Sequence, residues 1–283
     1  MLPSDDTSIG WTDLTWNPIH GCFKVDPACA NCYAAKQSQM WGHTENPWTV
    51  DNVQDNLRVQ SHHLSFPVSK GPSRIFVNSM SDLFLPKEVD GEPLLTDDYL
   101  HEIFDVMDEA DQHVYQVLTK HGTEHDERLR SWDRWPENLW MGVSVGTEGS
   151  MYRIDHLKDT DASIKWVSFE PLVESTGVTP DDLRGIDWVV IGGESGSAST
   201  RRGMDHAWAR EVRDAAREVG IPVFFKQSSG RHSEEGRELA ERGSSLSEAR
   251  EKGYETTTIR EFPSLPDQIL EAKPELEHSV VSS

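Results

Sequence analysis

The sequence predicts an α/β protein built as a partial, TIM-like β/α barrel. Three observations carry that expectation. Seven short apolar, β-rich runs follow one another along the chain, helical stripes fit between some of them, and polar or charged residues gather after nearly every run. Several runs are almost continuously apolar, as strands buried on both faces of a parallel sheet are.

The runs cover residues 12–16, 74–79, 113–119, 139–145, 164–169, 188–191 and 222–225. Thr96 is placed to cap a helix in which Leu100, Ile103, Phe104 and Met107 share one face. Trp208, Val212, Ala215 and Val219 make a second stripe, closed by Gly220 as a C-cap. The crossovers 122–135 and 175–185 lack a clear helical period. Trp11 and Trp16 flank the first run and are expected to fill the barrel bottom and wall. The barrel is expected to span 8–228. From 229 to 283 the chain is rich in Ser, Glu, Arg, Gly and later Pro, which predicts an irregular or partly disordered acidic tail with a short helix near 247–252.

In a parallel barrel the C-terminal strand ends converge on one rim, where active sites of this architecture sit. The second run is followed by Asn78, Ser79, Met80, Ser81 and Asp82, the third by Lys120, and the fourth carries Ser144. The fifth continues into Glu170, the sixth into Gly192, Gly193 and Glu194, and the seventh into Lys226 and Gln227. Six such clusters in register constitute a site.

Composition narrows the setting. Lys and Arg number 27 against 49 Asp and Glu, a formal charge of −22. Such a surface repels phosphate and acidic lipid and argues against an open electrostatic groove for nucleic acid. It is also what a halophilic cytoplasm selects, because a charged surface stays hydrated there. No run reaches the roughly 18 apolar residues of a membrane helix, and the N-terminus has no basic segment leading into an apolar one. The expectation is a soluble, cytoplasmic protein with no membrane partner.

All three cysteines of the chain, Cys22, Cys29 and Cys32, fall in one short loop after the first run, spaced C-x6-C-x2-C. An odd, clustered set points to a metal site, not to a disulfide framework. Three thiolates can each hold one iron of a [4Fe-4S] cluster and leave the fourth open to chelate S-adenosylmethionine, whose reductive cleavage yields a radical. Two alternatives stand beside this. Cys29 and Cys32 form a zinc half-site that His20 or His43 would complete, as in a zinc-dependent barrel hydrolase or nuclease, or the thiols are buried and unliganded.

The runs Trp11–Pro18, Cys29–Ala34, Phe76–Phe84, Val117–Lys120, Gly142–Val145, Phe169–Leu172, Ile191–Gly196 and Phe224–Gln227 resemble, in order, a phage-associated three-cysteine-motif family of unknown function. That family is similar to radical S-adenosylmethionine enzymes and distantly to spore photoproduct lyase. The resemblance implies a partial barrel of the radical S-adenosylmethionine type, a reductant of the ferredoxin or flavodoxin type, and a substrate that includes nucleobases in nucleic acid as candidates for repair or modification. A non-catalytic, nucleic-acid-associated protein is the further alternative. The chain departs from the usual radical pattern in two ways: the first cysteine gap is six residues where three is usual, and Asn31 precedes the last cysteine where an aromatic is usual, with Tyr33 following it.

In those enzymes a Gly-Gly-Glu-like segment after strand two holds the methionyl amine. Here that position carries Asn78, Ser79, Ser81 and Asp82, and the literal Gly192-Gly193-Glu194 follows strand six. An acidic or hydroxyl group there can accept from an ammonium, and glycines permit close backbone approach; a turn with a helix cap is the plainer reading. Ser144 joins the expected cofactor contacts. Lys120, Glu170 and Lys226 are the expected catalytic or substrate-orienting groups, against a plain internal ion pair such as Lys226 with Glu194. His20 is a proton-donor candidate or a hydrogen-bonded loop histidine.

Overall fold

The computed structural model describes residues 7–121 and 128–281. All seven apolar runs are strands: β1 (Leu14–Trp16), β2 (Arg74–Val77), β3 (Val114–Thr119), β4 (Leu139–Ser144), β5 (Ile164–Phe169), β6 (Trp188–Gly192) and β7 (Val223–Gln227). They form one sheet in chain order, every neighbouring pair parallel, with β1 and β7 at its two edges. The fold is therefore α/β, a seven-stranded parallel sheet curled as a half-barrel, consistent with a partial TIM-like architecture.

Strand alternation sorts the side chains onto two faces. Ile75, Val77, Tyr115, Val117, Met141, Val167, Val189 and Phe225 point to the larger core, which the helices share. Those helices include α2 (Asp97–Glu109), α3 (Tyr152–Lys158) and α4 (His206–Glu218), while α1 (Tyr33–Met40) packs Ala34 and Ala35 into a separate small cluster with Trp48 and Met80. The Thr96 hydroxyl caps α2 by accepting from the Tyr99 N–H at 3.3 Å, and Leu100, Ile103, Phe104 and Met107 are fully buried. Asp205 caps α4, and Gly220 follows it in a left-handed conformation (φ 77°). Of the two crossovers without a helical period, 175–185 contains the single turn Pro180–Leu183 and 122–135 the single turn Arg128–Ser131; residues 122–127 lie outside the described residues.

The opposite, concave face is filled unevenly. Trp11, Phe76, Trp140, Trp166, Trp188 and Phe224 pack its lower part, with the Trp11 ring edge-on to Phe76 at 4.7 Å and to Trp166 at 5.3 Å. Nearer the C-terminal strand ends that face carries Ser144, Ser168, Glu170 and Lys226 instead. The aromatic floor makes the barrel bottom a packed core and leaves chemistry to the rim. Trp16 belongs to the helix-side core, its indole N–H donating to the His63 carbonyl at 2.9 Å.

The segment after Ser228 contains the expected short helix near 247–252 and corrects the expectation of an otherwise irregular tail. It holds the antiparallel pair β8 (Glu238–Ala240) and β9 (Thr256–Thr258), then α5 (Leu246–Lys252) between them and α6 (Asp267–Ala272) after them. Ile259 accepts from Phe225 and Val223 accepts from Glu261, so this chain runs along the free edge of β7. Covering an edge strand in this way satisfies its open backbone groups. Phe262, Leu265 and Ile269 then close the concave floor against Trp188 and Phe224. Leu239 and Ile259 join the helix-side core, and Ala240, Leu246 and Ala249 pack on one another, so buried apolar residues spaced through a polar stretch order it without leaving a periodic signal. No helix among the described residues is long and apolar enough to cross a membrane.

Candidate functional site

The cysteine loop leaves β1 at the rim. Asn17 Oδ1 accepts from the Met80 N–H at 3.0 Å and from Ser79 Oγ at 3.1 Å, which ties the segments after β1 and β2 together. Past Cys22, Asp26 caps the single turn Pro27–Cys29, accepting from the Cys29 N–H at 3.2 Å, and Cys32 opens α1. All three cysteines are free and half-buried, and Cys22 and Cys32 pack on the same cluster of Ala34, Ala35, Trp48 and Met80. Burial pushes the Cys22 thiol well up, and the charges of Asp82, Cys32 and Cys29 push it the same way. Burial also raises Cys29, against the Lys120 ammonium, which lowers it. Among the described residues, no three of His, Cys, Asp and Glu converge closely enough to hold a metal ion. The donor set, three thiols and no fourth, nonetheless suits a cluster that takes one thiolate on each of three irons.

Two arginines clamp this loop. Arg153 of α3 pairs with Asp26 at 2.6 Å and donates to the Ser144 carbonyl at 2.8 Å. Burial would raise the Asp26 carboxyl, and Arg153 outweighs it and holds it below the usual range. Arg202 donates to the Pro27 carbonyl at 2.7 Å and pairs with Glu194, which also accepts from Asn31 Nδ2 at 2.9 Å. Glu194 is likewise held low: burial opposes, and the Arg202 and Asn31 bonds prevail. A Cβ on Gly146 would stand 2.7 Å from the Ala28 methyl and 2.5 Å from the Pro171 carbonyl, so the loop rests directly on bare backbone there. Sequence reasoning had none of these. Asp26 before Pro27 is an N-cap signature that would have marked it; Arg153 and Arg202 sit in polar stretches with no local signal.

Most of the residues expected to contact a cofactor make internal ties. Asp82 accepts from the Phe84 N–H, Thr119 Oγ1 and the Lys120 N–H at 2.9, 2.6 and 2.9 Å, binding the β2 loop to the end of β3. Ser81 Oγ donates to the Gly21 carbonyl and Ser144 Oγ to the Glu170 carbonyl. Gly192 leaves room for the Glu170 carboxyl at 3.0 Å, and a Cβ on Gly193 would meet the Ser229 N at 2.5 Å. Both glycines therefore serve close packing. Glu194 is paired with Arg202, and Lys226 pairs with Glu170 and not with Glu194.

Three groups remain available at the rim. Asn78, in a left-handed conformation (φ 60°), uses Oδ1 to accept from the Ile19 N–H and leaves Nδ2 buried without a partner among the described residues. Ser168 Oγ is a second buried polar atom without a partner. Lys120 makes no ion pair within 4.0 Å among the described residues, though its charge reaches Asp26 and Cys29. Tyr33 bridges to the β2 loop, its hydroxyl donating to the Ser79 carbonyl at 2.8 Å, and burial first, then the charges of Cys32 and Glu170, raise it. His20 is buried beside His43, and burial, then its histidine neighbours, holds it down at about 4, as a neutral loop histidine.

Neither the curated proteins nor the solved structures contain a significant match to this chain. A family model does match, over residues 6–263, and so takes in the clamp, the rim and the strand that covers the edge of β7. The chain belongs to the family described as "Protein of unknown function (DUF5131)".

Proposed function

We propose that this chain is a radical S-adenosylmethionine enzyme in which Cys22, Cys29 and Cys32 hold a [4Fe-4S] cluster with one iron left open. One observation carries the reading: the only three thiols of the chain share a clamped, half-buried loop directly on the C-terminal rim of a parallel half-barrel. When bound, the cluster and S-adenosylmethionine supply reductive cleavage of the sulfonium and hydrogen abstraction from a substrate. Asn78 Nδ2, an unpaired buried donor, and the Lys120 ammonium are suited to the methionyl carboxylate. Glu170 and Lys226 line the concave wall as a polarised pair that can orient substrate by hydrogen bonds. Asp82, Ser81, Ser144, Gly192, Gly193 and Glu194 act on the scaffold instead.

The electron comes from an external donor of the ferredoxin or flavodoxin type. For substrate we favour a nucleobase presented singly, since a charge of −22 opposes long contact with a duplex and an extruded base needs little basic surface.

The test is oxygen-free purification followed by a visible spectrum and iron and sulfide analysis. A brown protein with about four irons per chain, bleached by Cys22→Ala, Cys29→Ala or Cys32→Ala, is expected. Dithionite and S-adenosylmethionine should then release 5′-deoxyadenosine. A colourless protein holding one equivalent of zinc overturns the proposal in favour of a zinc barrel.

A further inference from the structure

Asp82 and Thr119 hold one more side chain against the cysteine loop. The Thr119 hydroxyl donates to Asp82 Oδ1 at 2.6 Å and accepts from the His121 N–H at 3.0 Å, which fixes the backbone just past β3. His121 is 3% exposed, and its ring meets Phe23 edge-on at 4.7 Å between centroids. So held, His121 Nε2 stands 3.5 Å from Cys22 Sγ. No other cysteine of the three has a side-chain hydrogen-bond partner of this kind among the described residues.

We propose that His121 is a positioning residue that tunes the cluster: its Nε2–H donates to Cys22 Sγ and raises the reduction potential. The inference rests on the cluster reading above. An iron-bound cysteine is a thiolate with no hydrogen to give, so the imidazole nitrogen facing it must be the one that carries the proton. A donor to a ligand sulfur stabilises the more negative, reduced cluster over the oxidised one. One electron enters from the external low-potential donor, and no bond or proton at Cys22 changes. Asp82 then has its place in the site through Thr119 and His121, not through the methionyl ammonium.

The experiment is a dithionite-mediated redox titration of the reconstituted full chain, read by electron paramagnetic resonance, on wild type, His121→Phe and His121→Gln. Phe keeps the ring volume without a donor; Gln returns an N–H close to the Nε2 position. At a fixed potential His121→Phe should lower the ratio of reduced to oxidised cluster at least tenfold, a downward shift of about 59 mV for one electron. His121→Gln should recover most of it at equal iron content. Should His121→Phe fail to retain iron, His121→Met, which also lacks a donor, takes its place. Equal potentials in all variants overturn this role and leave the cluster standing, as does an equal fall in the Phe and Gln variants. Wild type without iron and sulfide overturns both.

Discussion

Arg153 and Asp26 form a 2.6 Å ion pair across the rim, their side chains 2% and 10% exposed, joining the helix after β4 to the turn between the first two cysteines. A pair so enclosed is worth little against a well-packed apolar pair, and costs much when only one member is removed. Arg153→Met should therefore destabilise the protein by about 3–5 kcal/mol in urea titrations, since Asp26 is left buried and uncompensated. The double variant Arg153→Met/Asp26→Leu should recover a substantial part of that. A double variant as unstable as the single one would show that the loss comes from packing of the arginine stem.

Arg202 does a different job, because it lies 30% exposed while its partner Glu194 is 5% exposed. Its removal opens the bond to the Pro27 carbonyl as well as the pair with Glu194, yet Asn31 still satisfies one Glu194 oxygen. Arg202→Met is expected to cost roughly 1–3 kcal/mol. The sharper effect falls on the loop: iron retained after desalting of the reconstituted protein should drop severalfold. If retention matches wild type, the loop does not depend on this clamp for its shape.

Glu170 and Lys226 meet on the concave wall with side chains 18% and 11% exposed. Groups in direct contact and shielded from water do not act independently. In a double-mutant cycle of Glu170→Gln and Lys226→Met, the coupling energy should be about 1–3 kcal/mol by urea denaturation. Additive losses would mean that the pair is loose, and that each group is held by the scaffold alone.

The strands were legible because burial on both faces leaves near-continuous apolar runs, and all seven emerged in order. Helix α2 was legible for its Thr96 cap and α4 for its stripe and terminal Gly220. Of the segment after Ser228 the short helix near 247–252 was legible and is α5, but β8, β9 and the cover on β7 were not, since Leu239, Ile259, Phe262, Leu265 and Ile269 pack against partners distant in sequence, Trp188 and Phe224 among them. The site divides along the same line. The cysteine spacing and the convergence of rim residues are local or periodic features and could be read. Which carboxylate meets which cation is a matter of side-chain reach, so Lys226 with Glu170, and Glu194 with Arg202, needed coordinates. The tie that Asp82 makes between the β2 loop and the end of β3 was likewise not legible, because composition cannot distinguish a carboxylate facing a cleft from one joining two loops.

His206 fastens α4 to the segment after β7. Its Nδ1 accepts from the Ala240 N–H at 2.9 Å, so the hydrogen sits on Nε2 and donates to Ser228 Oγ at 2.7 Å. Protonation would set an N–H against the Ala240 N–H in a site only 1% exposed. Burial first, then the Arg210 charge, accordingly holds His206 down at about 4, against an ordinary 6.5. The unfolded chain then binds the proton more readily than the folded one, so this contribution to stability is complete above pH 6.5 and is lost as pH falls toward 4. Between pH 7.5 and pH 5 the loss should be roughly 2 kcal/mol for this residue. His20, also held at about 4 by burial, adds a similar slope. Urea midpoints measured across that range should fall for wild type and fall less steeply for His206→Gln. An unchanged slope in His206→Gln would mean that the histidine takes up its proton without disturbing Ala240.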